Sequence, residues 1–267
     1  MAGTVSSGRL SVARSVPQLE LAVEDADGVR LAVSVAAARV ELCAALAETG
    51  GITPSIGTIG QACGLGLPVH VLVRPRPGNF VYATGELEVI ELDAVAALRA
   101  GAAGVVVGVL GADGGPDVAA MRRIVATARA VRPDAEVTFH RAFDAALAAG
   151  LDPAKALSRL QQAGVDRVLT SGGGADCAAG LEMLGRIVQE RRRSAPSVQI
   201  MAGGGVTLAL VPSLLDAGVH AVHTSARLRQ LKAGDSGVRR AAADPDLAAR
   251  MAAAVAAKDI DERRTVS

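Results

Sequence analysis

A chain of 267 residues has the usual length of one closed α/β barrel and is long enough to bury a core without disulfide staples. Half of it is apolar but only 1% is aromatic, so that core has to be built from small aliphatic side chains. With 28 basic against 27 acidic residues, a net charge of +1 gives no electrostatic reason to expect nucleic acid or an anionic membrane as a partner.

No apolar stretch approaches the ~20 residues that a bilayer crossing needs. The opening 17 residues carry Arg9 and Arg14 but lack the continuous apolar run of a secretory signal. Cys43, Cys63 and Cys177 are odd in number and far apart, which fits a reducing compartment and makes the cytoplasm the expected location. The expected organisation is a flexible extension over 1–17, one barrel domain over 18–228, and a C-terminal helix and tail over 229–267.

In chain order, eight short runs rich in Val, Leu and Ile read as buried parallel strands. They are LELAV (19–23), RVELC (39–43), PVHVLV (68–73), GVVVGVL (104–110), EVTFHR (136–141), RVLTS (167–171), VQIMAG (198–203) and AVHTS (221–225). Helical patterns between them cover 87–100, 117–130, 153–163, 175–191 and 208–217. The second interval is irregular, since Gly50, Gly51, Pro54 and further glycines leave room for only a short helix. AGVDRVLTSGG at 163–173 is echoed by AGVHAVHTSAR at 217–227, which favours a barrel over an open sheet, although any βα protein reuses such turns. The fold class expected is therefore α/β, a single-domain (β/α)8 barrel. Beyond it, 244–257 reads as an Ala-rich helix opened by Asp-Pro-Asp, and 259–267 as a frayed end. His220 is expected on the surface, and Arg191, Arg192 and Arg193 at a solvated helix end.

RVELCAALAETGGITPSIG, PVHVLVRPRPGNFVY, EVTFHRAFD and RVLTSGG, followed in order by MAGGGV and HTSAR, resemble the CutC family of copper-homeostasis proteins. The resemblance covers roughly 18–228 and implies a TIM-type (β/α)8 barrel, a cytoplasmic location, a role in copper homeostasis and copper(I) as a cofactor. Members of that family often carry cysteines at the ends of the first two strands and just after the last-strand histidine. Here those places hold Ala22, Cys43 and Thr224. Copper(I) prefers two or three soft sulfur ligands, so Cys43 is left as a weak metal candidate, with Cys63 and Cys177 expected as buried small residues.

Barrel chemistry belongs at the C-terminal ends of the strands. The candidates there for acid–base work are Glu20, Glu41, Arg74, His140, Arg141 and Asp144, with His140 the best single titrating group. Arg74 and Arg76 are expected to share a face above a Pro-Gly turn that holds Asn79 and Tyr82 over the mouth, and Arg141 to point away from His140. The glycine-rich turns Ser171, Gly172, Gly173, Gly174 and Gly203, Gly204, Gly205 could bring backbone N–H groups to an anion, helped by Arg76, His223, Ser225 and Arg227. Two blander alternatives stand beside these. The polar residues could form a satisfied internal ion-pair network, and tight βα turns need glycine in any case. Three readings follow: a copper-handling protein, an enzyme moving protons on a small phosphorylated or carboxylated metabolite, and a non-catalytic binding barrel. The partner is a small molecule or a metal, and a homo-oligomer is left open.

Overall fold

The computed structural model describes residues 16–227 and 243–265. Positions 1–15 of the expected N-terminal extension, 228–242 of the expected tail, and 266–267 lie outside the described residues. Each of the eight apolar runs forms a strand: β1 (Gln18–Val23), β2 (Arg39–Leu42), β3 (Val69–Leu72), β4 (Gly104–Val107), β5 (Glu136–Phe139), β6 (Arg167–Thr170), β7 (Gln199–Gly203) and β8 (Ala221–Thr224). All pair in parallel in sequence order, and β8 returns to β1 to close the barrel.

The helices are α1 (Ala26–Ser34), α2 (Leu46–Thr49), α3 (Ile56–Cys63), α4 (Thr84–Arg99), α5 (Val118–Val131), α6 (Ala142–Ala148), α7 (Pro153–Ala163), α8 (Leu181–Ser194), α9 (Val211–Asp216) and α10 (Pro245–Thr265). The helix expected from 175 starts only at Leu181. Before it, the loop is drawn tight: the side chain of Asp176 accepts from the Ala179 N–H, and Gly180 presses so closely on the Ser171 carbonyl that no Cβ would fit. The helix expected over 208–217 splits into a 3-10 turn (Leu208–Leu210) and α9. In place of a frayed end, α10 continues through 259–265. Its start is capped by Asp244, whose carboxylate accepts from the Leu247 N–H. His220 is half-buried, not on the surface, because its Nδ1 accepts the Ile200 N–H at 3.0 Å. Among the described residues no helix is long and apolar enough to cross a membrane.

Alternation along the strands sorts their side chains onto two faces. Leu21, Val40, Val71, Val105, Val137, Val168, Ile200 and Val222 are buried against the helices, each contributing roughly 1.5–3 kcal/mol. The alternate positions fill the barrel interior, and most of them are polar. Only Cys43, Leu72 and Val106, and separately Leu169, Met201 and Ala221, make small apolar clusters there. Towards the N-terminal end, Arg39 donates to Glu20 at 2.6 Å and to Gln18 at 2.6 Å. Arg167 donates to Glu136 at 2.8 Å, to Gln199 at 3.0 Å and to Thr138 at 3.2 Å. This hydrogen-bonded plug takes the place of the branched aliphatic layers usual in such barrels.

Because Glu20 is fully buried, removing its partner should strand a charge. Arg39→Met should lose about 3–5 kcal/mol of unfolding free energy in urea, and adding Glu20→Gln should restore part of it. A single variant as stable as the parent would show that the pair does not hold the barrel.

Candidate functional site

A cavity of about 550 Å³ opens at the C-terminal ends of the strands. Its walls bring together Glu41 of β2, Arg74 beyond β3, His140 and Arg141 beyond β5, Gly204 and Gly205 beyond β7, and His223 and Ser225 at the end of β8. Leu247 and Met251 of α10, Phe80 of the loop after β3 and Arg227 beyond β8 also line it.

The strand register sets Glu41 beside Ala22 and Glu20 beside His223, so two carboxylates and an imidazole converge. One potential ligand atom from each lies within 4.8 Å of the others. Both oxygens of Glu20 are engaged: Oε1 with Nδ1 of His223 at 2.7 Å, and Oε2 with Nε of Arg39 at 2.6 Å. Burial alone would raise the Glu20 carboxyl, but the His223 hydrogen bond and the charges of Arg39, His223 and His70 hold it far below the usual carboxylate range. Glu20 is thus ionised and accepts from the His223 ring N–H. Burial would lower His223, but that bond and the charges of Glu41 and Glu20 leave it raised. Glu41 has no such support. Its Oε2 is buried without a hydrogen-bond partner, and burial pushes its carboxyl up to about 7, with Glu20 adding to the rise and His223 opposing it.

Across the mouth, Nδ1 of His140 accepts the Ala142 N–H at 3.1 Å. Burial, with the charge of Arg74 adding, lowers this imidazole to about 3, so it is neutral at ordinary pH. Its Nε2 is buried without a partner. Phe80 packs on the ring at 4.8 Å between centroids, and Gly108 leaves room for it, since a Cβ there would lie 2.4 Å from Nδ1.

The structure uses the candidate residues unequally. Arg74 donates to the carbonyls of Thr49 at 3.0 Å, Gly51 at 2.8 Å and Gly78 at 3.2 Å, so it ties two loops together while keeping a charge at the cavity wall. Arg76 does not share the mouth with it. The strand ends at Leu72, alternation stops, and Arg76 pairs with Glu86 and packs on Tyr82 at 4.8 Å. Asn79 and Tyr82 are thereby pinned to Arg76, and Phe80 takes the place over the cavity. Arg141 turns into the cavity, contrary to strand alternation, because β5 ends at Phe139 and the chain bends there into α6.

Asp144 faces the turn after β6, where it accepts from the N–H groups of Ser171 at 3.1 Å and Gly173 at 3.0 Å and from Nε of Arg141 at 2.8 Å. The Gly172 N–H goes to Thr170. The cradle expected to receive an outside anion thus already holds one of the chain's own, and Ser171, Gly172 and Gly173 do not line the cavity. Gly203 lies under His223, while Gly204 and Gly205, with φ of +113° and +63°, reach the cavity. Phe80, Gly108, Leu247, Met251, Arg39 and Arg167 went unnoticed in the sequence. The two arginines had a signal, being polar at inward strand positions.

The donors do not suit copper(I). Cys43 is fully buried, its Sγ lies 3.6 Å from the Val23 carbonyl, and burial reinforced by Glu41 and Glu24 pushes the thiol well above its ordinary value. Cys63 ends α3 half-buried, and Cys177 is buried in the loop before α8, with its N–H on the Gly204 carbonyl. Neither lines the cavity. What converges at the mouth is oxygen and imidazole nitrogen, a harder set than this ion prefers.

Known proteins match this chain along most of its length. The model of the CutC family matches residues 17–228. A CutC family protein of Vibrio vulnificus (strain YJ016) is 38% identical over 234 residues, 86% of this chain and 90% of the relative. One of Yersinia pestis (strain Pestoides F) is 39% identical over 210 residues, 78% of each chain. The crystal structure of a Streptococcus agalactiae CutC protein, described in terms of copper homeostasis, superposes with a TM-score of 0.68 at 29% identity, covering 78% of this chain and 98% of the other.

Glu41 gives a pH test. Its folded pKa of about 7 stands above the ordinary 4.5, so stability fully present below pH 4.5 is lost as pH rises through about 7. Glu41→Gln removes that loss. The variant should gain on the order of 2–3 kcal/mol over the parent at pH 8 and almost nothing at pH 4, read from urea melts at both. An equal difference at both pH values would place the carboxyl at its ordinary pKa.

Proposed function

The chain belongs to the CutC family, and from that premise we propose that it binds a small anionic metabolite at the barrel mouth and moves a proton on it. The observation that carries this reading is Oε2 of Glu41, buried, unpartnered and next to His223 in the wall of the cavity. A buried unpaired carboxylate oxygen is costly, and a fold gains nothing from it unless a ligand uses it. Glu41 serves as the acid–base group and Glu20 as the buried carboxylate that orients His223. Arg141, braced by Asp144, and the backbone at Gly204 and Gly205 receive the anion.

Family membership favours a second reading, copper homeostasis, since the Streptococcus agalactiae relative is described in those terms. For this chain we infer that copper(I) is held weakly and mainly through Cys43, because a single protonated thiol is a poor site. Three free cysteines suit a reducing cytoplasm.

Two measurements test these readings. Thermal melts with inorganic phosphate, glycerol 3-phosphate, pyruvate and citrate should show a rise with at least one of them. That rise should vanish in Arg141→Met, while the variant alone melts within a few degrees of the parent. No rise with any anion overturns the anionic-ligand reading, and a rise that persists in Arg141→Met overturns the assignment of that arginine. In competition with a tight copper(I) chelator the chain should keep no copper, with Cys43→Ser behaving like the parent. Retention of one copper per chain would overturn the ligand argument.

A further inference from the structure

We propose that the substrate is a small anion with a carbonyl group beside a C–H bond, that Nε2–H of His140 hydrogen-bonds the carbonyl oxygen, and that Glu41 removes the adjacent proton. The chemistry then begins with enolisation. This rests on the reading above that an anion occupies the mouth, and adds the substrate class and the first bond broken.

His140 carries the inference. A backbone N–H can only donate, so the bond from Ala142 requires a lone pair on Nδ1 and leaves the ring proton of the neutral imidazole on Nε2. That N–H has no acceptor among the described residues, although it is buried in a side chain that lines the cavity. Protonation at Nδ1 would break the bond to Ala142 and set a second cation beside Arg74. The ring is therefore suited to donate and unsuited to shuttle protons as an imidazolium. A fixed neutral donor is what a developing enolate oxygen needs, since it stabilises charge there without a full positive charge in the ground state.

The opposite wall supplies the complement. Glu41 projects from β2 with an oxygen that no protein group engages, placed to accept a proton. No lysine lines the cavity among the described residues, which leaves no amine for a Schiff base there. In the step proposed, the C–H bond breaks and its electron pair forms the C=C bond. The carbonyl π pair moves to the oxygen facing Nε2–H, and the proton resides on Glu41. Returning it to the same or the neighbouring carbon regenerates the carboxylate, so no oxidant or co-substrate is needed. Gly108 acts here as a positioning residue, because any Cβ would drive the imidazole off its place.

Dihydroxyacetone phosphate and pyruvate in D2O serve as probes, with loss of the C–H signal followed by proton NMR and binding by the shift of the melt. The parent should accelerate exchange of at least one probe by on the order of 100-fold or more over buffer. Glu41→Gln should abolish exchange while keeping the melt shift. His140→Gln and Gly108→Ala should lower kcat by on the order of 100-fold with KM nearly unchanged. In the parent, 15N NMR should show His140 neutral with its proton on Nε2 from pH 5 to 9. A melt shift without exchange overturns enolisation and leaves the anion reading standing, whereas neither shift nor exchange overturns both. Exchange surviving in Glu41→Gln removes that residue as the base. An imidazolium, or a proton on Nδ1, removes His140 as the donor even if its variants fail to fold.

Discussion

The carboxylate of Glu20 is held between Arg39 on the side of the barrel plug and His223 on the side of the mouth, and both ends of the barrel depend on that placement. Below, it anchors one half of a polar interior that would otherwise have to be filled with branched aliphatic side chains. Above, it fixes which ring nitrogen of His223 carries a proton and raises that imidazole beside Glu41. Each of its oxygens already holds one protein partner, and Glu20 does not line the cavity. Its contact with the mouth is the hydrogen bond to His223, the kind of bond by which a buried acid orients an imidazole.

The same economy governs the other carboxylates. Asp144 is spent on the turn after β6 and on Arg141, and Glu24 on Arg227 and the N–H of Leu46. Among the described residues Glu41 alone has an unpartnered buried carboxylate oxygen. The mouth is therefore asymmetric: β2 and β8 carry Glu41 and His223, while the chain beyond β3 and β5 carries a bound cation and a neutral donor. An anion lying between these walls would meet a proton acceptor on one side and fixed dipoles on the other, which is the division of labour that acid–base chemistry on a small metabolite requires.

The fold was legible because buried parallel strands announce themselves as short runs of Val, Leu and Ile, and all eight runs became strands in sequence order. The inward placement of side chains was legible where strand alternation applied, as at Glu20 and Glu41, and it carried one residue beyond β5 to His140. It ceased to be legible two to four residues past the strand ends, where the backbone bends and alternation no longer tells where a side chain points. Arg76 and Arg141 exchanged their expected places for that reason. Asp144 was noticed as a charge, but its partners lie 26 to 29 positions later in the chain, so nothing local marked it as the anion of the glycine turn. Leu247 and Met251 reach the cavity from a helix beyond the barrel, a placement set by tertiary packing alone.

Strand β4 helps to keep the imidazoles beside it uncharged. Its inward row is Gly104, Val106 and then Gly108, with no polar side chain of its own. Each glycine is a place where a neighbouring imidazole leans in: a Cβ at 104 would lie 3.2 Å from the ring of His70, and one at 108 would lie 2.4 Å from that of His140. Rings sunk against bare backbone lose their hydration, and burial lowers them to about 4 and about 3 respectively. His223 packs on Gly203 and is somewhat more exposed, but its Nδ1 also meets the Glu20 carboxylate, and it is raised. All three imidazoles thus lie against a glycine, and what sets His223 apart is the hydrogen bond that its Nδ1 makes with the Glu20 carboxylate.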